Sequence, residues 1–82
     1  MTMNYNGPPS GILFIKDPAY YQNHELDANP GDWLFQAKEV MPKYLGRFVR
    51  NIGSVVIVNY NGIQRSCLQK HIGTIYRNPE AK

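Results

Sequence analysis

Residues 33–51 read Trp33-Leu-Phe-Gln-Ala-Lys-Glu-Val-Met-Pro-Lys-Tyr-Leu-Gly-Arg-Phe-Val-Arg-Asn51, and the fold turns on this stretch. As a helix it places Trp33, Ala37, Val40, Met41, Tyr44, Leu45, Phe48, Val49 and Ile52 on one stripe, with only Leu34 and Phe35 off it. Pro42 and Gly46 would then lie inside the helix, at a cost of roughly 3 and 1 kcal/mol. As strands, the stretch divides into Trp33–Val40 and Tyr44–Arg50 around Met41-Pro42-Lys43. Periodicity favours the helix and the breakers favour two strands.

The flanking segments are extended. Downstream, Ser54-Val-Val-Ile-Val-Asn-Tyr60 is a β-branched run followed by Asn61-Gly62 and then Ile63–Leu68. Asn-Gly between extended runs predicts a hairpin, because a type I′ turn needs positive φ at both central residues. Upstream, Gly11–Lys16 is an apolar run that reads as a buried strand. Pro18–Asp32 has no sustained period and reads as a long loop with an acidic lining. It is closed by the turn chemistry of Asn29-Pro30-Gly31-Asp32. The predicted core is Ile12, Phe14, Leu26, Val56, Val58, Ile72 and Ile75.

Three stretches carry a resemblance. Glu25-Leu26, followed after four residues by Gly31-Asp32-Trp33-Leu34, is similar to the E-L-x-x-x-x-G-D-x-I pattern of the Src-homology-3-like barrel. Ala19-Tyr20-Tyr21 upstream looks like the start of that family's A-L-Y-D-Y. Lys43-Tyr44-Leu45-Gly46-Arg47 falls where the family has W-W-x-G-R. Cys67–Ile75 matches the spacing of its closing 3₁₀ turn and last strand. The resemblance implies two strands across 33–50 and a mainly β, single-domain small barrel with a long hairpin. The alternative is an α+β domain with a helix at about 33–50 on an antiparallel sheet. The expected organisation is a flexible arm over 1–11, the barrel domain over 12–77 and a tail over 78–82. The family's proline-peptide groove would fall at Tyr21, Gln22, Asn23, Lys43, Leu68 and His71. Only Tyr21 keeps its aromatic character, so polyproline binding is not expected.

At 82 residues and 43% hydrophobic content, the chain can build one modest core and has little room for an enclosed substrate cavity. The lone cysteine, Cys67, cannot form an internal disulfide or a cysteine-based zinc site. No apolar run reaches the length of a membrane span, and the N-terminal residues do not form a signal peptide, so a soluble cytoplasmic chain is expected. His24 is expected exposed on a loop, and His71 packed. Cys67 is read as a small core residue rather than a nucleophile paired with His71. Glu25, Asp27 and Asp32 share one loop and could work as acid and base only in a cleft. No phosphate loop or catalytic motif is present, so the expectation is a non-enzyme without cofactor or metal.

Charge is divided unevenly. Residues 1–41 hold two cations against five anions, and residues 42–82 hold seven cations against Glu80 alone. Such a basic half concentrates anionic partners. Within it, Tyr44, Tyr60 and Tyr76 interleave with Arg47, Arg50, Arg65, Lys70 and Arg77. The expected binding residues are Tyr44, Arg47, Arg50, Tyr60, Arg65, Lys70 and Arg77. Arginine and tyrosine anchor protein interfaces, and they also suit phosphate contact with base stacking. The leading expectation is therefore an accessory or inhibitory module docking on a larger protein. The alternatives are a nucleic-acid binder using the same basic half, or a small homo-oligomer holding a phosphorylated ligand. Asn-Tyr-Asn-Gly occurs twice, at 4–7 and 59–62, and with asparagine so common the repeat reads as coincidence.

Overall fold

Stretch 33–51 is extended on both sides of its proline. The computed structural model describes residues 6–9 and 15–80. Its strands are β1 (Lys16–Pro18), β2 (Tyr21–Gln22), β3 (Glu25–Leu26), β4 (Trp33–Gln36), β5 (Lys43–Ile52), β6 (Val55–Tyr60), β7 (Ile63–Leu68) and β8 (Ile72–Tyr76). A 3₁₀ turn, Gln69–His71, links β7 to β8. All pairings are antiparallel, in a six-stranded sheet ordered β1-β8-β4-β5-β6-β7 and a two-stranded ribbon of β2 and β3. The fold is mainly β, and the helix at 33–50 does not form. Gly46 sits at φ +137°, outside helical space. Pro42 lies in the connector between β4 and β5, where its missing N–H costs nothing. Two residues of the would-be helical stripe, Val40 and Met41, are 96% and 72% exposed on that connector.

The long hairpin forms as the turn chemistry demands. Asn61 and Gly62 have φ of 54° and 91°, and Tyr60 pairs with Ile63 across them. The Asn59 side chain tightens this turn by accepting the Gly62 N–H at 2.8 Å. Asp32 N–H donates to the Asn29 carbonyl at 2.9 Å, closing the second expected turn. The loop before it is more ordered than predicted, because it contains the β2–β3 ribbon and sends Leu26 into the core. Asn51 clamps Leu26 from β5: its amide donates to the Leu26 carbonyl at 3.0 Å and accepts the Leu26 N–H at 3.2 Å.

Leu26, Leu34, Phe48, Val56, Val58, Ile72 and Ile75 form one buried cluster, with Leu45 and Cys67 packed against it. Ile12 and Phe14, also expected there, lie outside the described residues. So does most of the predicted strand at 11–16; Ile15 is exposed, and β1 begins only at Lys16. Sequence patterning passed over Leu34 and Phe48. Leu34 lay off the helical stripe, and β4 proved to be a strand buried at its start. Val58 is 1% and Ile72 4% exposed, so truncating either to alanine should cost about 2–4 kcal/mol. A urea-denaturation difference within about 0.5 kcal/mol would place that side chain outside the packed centre. Among the described residues, no helix is long and apolar enough to cross a membrane.

Candidate binding face

A one-residue irregularity in β5 organises the aromatic side chains. Leu34 pairs with Gly46, but Phe35 pairs with Tyr44, so Leu45 is the extra residue of a bulge. Strict alternation would place Tyr44 on the same face as Gly46; the bulge puts it opposite Phe35 instead. Tyr76, Phe35, Tyr44 and Tyr60 then make a row across β8, β4, β5 and β6, with successive ring centroids 5.0, 5.3 and 5.7 Å apart. The Arg65 guanidinium extends the row from β7, 5.1 Å from the Tyr60 ring centroid.

Beside Tyr44, Tyr60 and Arg65 opens a groove of about 790 Å³, lined also by Lys43, Gln64 and Cys67. Strands β5, β6 and β7 carry Lys43, Arg47, Arg50 and Arg65 and no carboxylate. Strand alternation divides these cations: Arg65 is opposite Val58 and borders the groove, whereas Arg47 and Arg50 are opposite Asn59 and Ile57 on the other face.

The seven expected binding residues are only partly gathered here. Tyr44, Tyr60 and Arg65 line the groove. Arg47 lies nearby but is engaged: its guanidinium stacks 5.4 Å from the Trp33 ring centroid, and its Nε donates to the Asn6 carbonyl at 3.1 Å. Arg50 is exposed on β5 opposite Ile57. Lys70 belongs to a different hollow of about 420 Å³, beside Tyr21, Ser54 and Leu68.

Arg77 has an internal task. Its Nε pairs with Asp17 at 3.1 Å, and one terminal nitrogen pairs with Asp32 at 3.0 Å. Burial opposes its charge, but the hydrogen bonds and charges of Asp32 and Asp17 outweigh it and raise the guanidinium pKa further. Asp32, 1% exposed, also accepts backbone N–H groups of Asn29 and Asn78, each at 3.0 Å. The acidic lining expected of that loop is thus divided. Glu25 and Asp27 face solvent, while Asp32 is a structural anchor turned inward.

Cys67 is half-buried, and its thiol donates to the Val56 carbonyl at 3.7 Å. Burial pushes the thiol pKa up, the opposite of what activates a nucleophile. His71, expected packed, is exposed on the 3₁₀ turn, where no element covers it. Burial, and then the nearby Cys67, raise the Tyr21 hydroxyl, which donates to the carbonyls of Gln69 and Ile72. These raised values make stability fall at alkaline pH. Below the ordinary thiol value of about 8.5, folded and unfolded chains both hold the Cys67 proton. Above it the unfolded chain releases the proton first, so unfolding gains until the folded thiol also ionises. The urea midpoint of the wild type should therefore drop as pH rises from about 8.5 towards 10. A Cys67→Ser chain should lose less over that window, keeping only the part due to Tyr21; an equal drop in both would remove Cys67 as the cause.

Asn6 is a participant that residue patterning missed. It belongs to the segment expected to be a flexible arm, yet among the described residues it is among the most heavily hydrogen-bonded. Its carbonyl accepts from Trp33 Nε1 at 2.8 Å, from Arg47 Nε and from the Tyr44 hydroxyl, while Gly7 beside it is buried. The available signal was the repeated Asn-Tyr-Asn-Gly, because Asn6 meets the second copy directly. Asn6 N–H donates to Asn61 Oδ1 at 3.0 Å, and Asn61 N–H donates to Asn6 Oδ1 at 3.0 Å. One residue of each copy is thus joined reciprocally; residues 4 and 5 of the first copy lie outside the described residues. Among the described residues, no group of three or more histidine, cysteine or carboxylate side chains could hold a metal ion. No protein-family model matches the chain, and comparison with curated proteins and with solved structures gives no match.

Proposed function

We propose that this chain is a small, non-catalytic, Src-homology-3-like binding module. It acts as an accessory or inhibitory protein, docking on a larger protein partner through the groove of Lys43, Tyr44, Tyr60 and Arg65. The observation that carries the reading is the aromatic row ending under a guanidinium, on three strands that hold four cations and no carboxylate. A concave aromatic surface rimmed by arginine and lysine suits an acidic protein surface, with tyrosine and arginine as anchors. It suits single-stranded nucleic acid less well. Base stacking needs open ring faces, whereas these rings lie 5.0–5.7 Å from one another and Arg65 covers Tyr60.

The test compares Lys43→Glu/Arg65→Glu with Tyr60→Ala on a partner captured by the wild type, using surface plasmon resonance. Reversing the rim charges should slow association about tenfold, because they steer encounter. Truncating Tyr60 should speed dissociation by about thirtyfold, as loss of a ~2 kcal/mol anchor does. Association and dissociation rates unchanged in both variants would defeat the reading. Tight binding to single-stranded DNA or RNA that collapses with salt would replace it with nucleic-acid recognition.

A further inference from the structure

The surroundings of Asn6 are those of a ligand in a recognition slot. All four of its polar atoms are bonded. The carbonyl takes the Trp33, Tyr44 and Arg47 donors described above; the side-chain oxygen accepts from Asn61 N–H and lies 2.9 Å from the Tyr44 hydroxyl; the side-chain nitrogen donates to the Asn59 carbonyl at 2.9 Å and to Asn59 Oδ1 at 3.1 Å. The slot distinguishes asparagine from aspartate. Asn59 Oδ1 is held in place by the Gly62 N–H, and a main-chain carbonyl cannot exchange its oxygen for a donor. An aspartate would therefore set a carboxylate oxygen against two fixed acceptors, leaving charge and acceptors unpaired. Trp33, Tyr44, Arg47 and Asn59 stand on β4, β5 and β6, so all of the slot but Asn61, in the β6–β7 turn, is sheet framework.

We propose that the slot formed by Trp33, Tyr44, Arg47, Asn59 and Asn61 is a peptide-recognition site specific for asparagine. The chain's own Asn6 fills it in cis, and an asparagine-bearing segment of the docking partner fills it once the arm is displaced. The recognition chemistry stands on the bonds around Asn6. Its natural occupant is taken from the partner reading, because Tyr44 belongs to both the slot and the docking groove. A tethered segment competes at an effective concentration of about millimolar, so the slot is closed to dilute peptides in the wild type. An Asn6→Asp chain should leave it open, because a carboxylate set against the two Asn59 acceptors is expelled together with its main-chain carbonyl.

Trp33 is the only tryptophan, so its indole N–H resonance reports the slot directly. The hexapeptide Asn-Tyr-Asn-Gly-Pro-Pro, the sequence of residues 4–9, is titrated into Asn6→Asp, with Asn6→Lys as a second opened chain if aspartate impairs folding. The indole signal should move towards its wild-type position. Binding should be at least about tenfold tighter than to the wild type, and at least about tenfold tighter than that of Asn-Tyr-Asp-Gly-Pro-Pro. An unmoved indole signal in a folded, opened chain would overturn the proposal, as would equal binding of the aspartate peptide. A wild type that runs as an arm-exchanged dimer would transfer the slot to a second copy and overturn its assignment to a partner. Repeating the titration on Asn6→Asp/Arg65→Glu separates the two readings. Peptide binding there should persist even if charge reversal shows the groove to be unused.

Discussion

A Gly46→Ala chain is expected to lose about 3–5 kcal/mol, a large share of the ~5–15 kcal/mol that holds an ordinary domain folded. Gly46 lies in mid-strand at φ +137°, where any side chain is strained. Its added Cβ would stand 2.9 Å from the Asn59 carbonyl oxygen and 3.0 Å from Val58 Cβ. The oxygen belongs to the β5–β6 ladder and cannot withdraw without breaking strand pairing, so strain and collision add. The same glycine closes the register from which the Leu45 bulge and the placement of Tyr44 follow. Loss of stability should therefore come with loss of the aromatic row, seen as a changed near-ultraviolet circular dichroism spectrum. A thermal midpoint within about 4 °C of wild type would show that the β5–β6 pair can move aside, against this account.

Arg77→Ala should cost about 3 kcal/mol by urea denaturation, the low end of what breaking a buried ion pair costs. The reason is Asp32 rather than Arg77. Its carboxylate, 1% exposed, would lose the one cation paired with it among the described residues and keep the backbone N–H donors of Asn29 and Asn78. Those two bonds soften the loss and set the figure at the low end. Removing Arg77 also frees Asp17 on β1, so the β1–β8 edge should fray first. In an Asp32→Asn background the same truncation should cost less than half as much, because no buried charge is stranded. Equal costs in both backgrounds would show that the Asp32–Arg77 pair contributes nothing and that Arg77 acts by packing alone.

Some of this molecule was legible from neighbouring residues alone. The β6–β7 hairpin needs only alternating β-branched residues and an Asn-Gly step, both set by backbone sterics within a few residues. Much of the core was readable in the same way, since Val56 and Val58 sit in one β-branched run and Ile72 and Ile75 form an apolar pair beyond it. Segment 33–51 was not, because a helical stripe and two strand breakers disagree and local propensities differ by only a few kcal/mol. Pairing with β8 and β6 decides it, burying Leu34 and Phe48.

The binding residues divide along the same line. Sequence by itself determined that the second half is cationic and studded with tyrosine, since composition does not depend on folding. Which of those cations face solvent was decided by tertiary structure, through pairings between residues far apart in the chain. Arg77 is drawn inward by Asp17 and Asp32, 60 and 45 positions away. Arg47 is engaged by Asn6, 41 positions away. Arg65 stays at the groove because no carboxylate lies on its edge strand β7, on β6 beside it or on β5 beyond. A buried charge must find its partner wherever the fold brings one, and no local pattern carries that information.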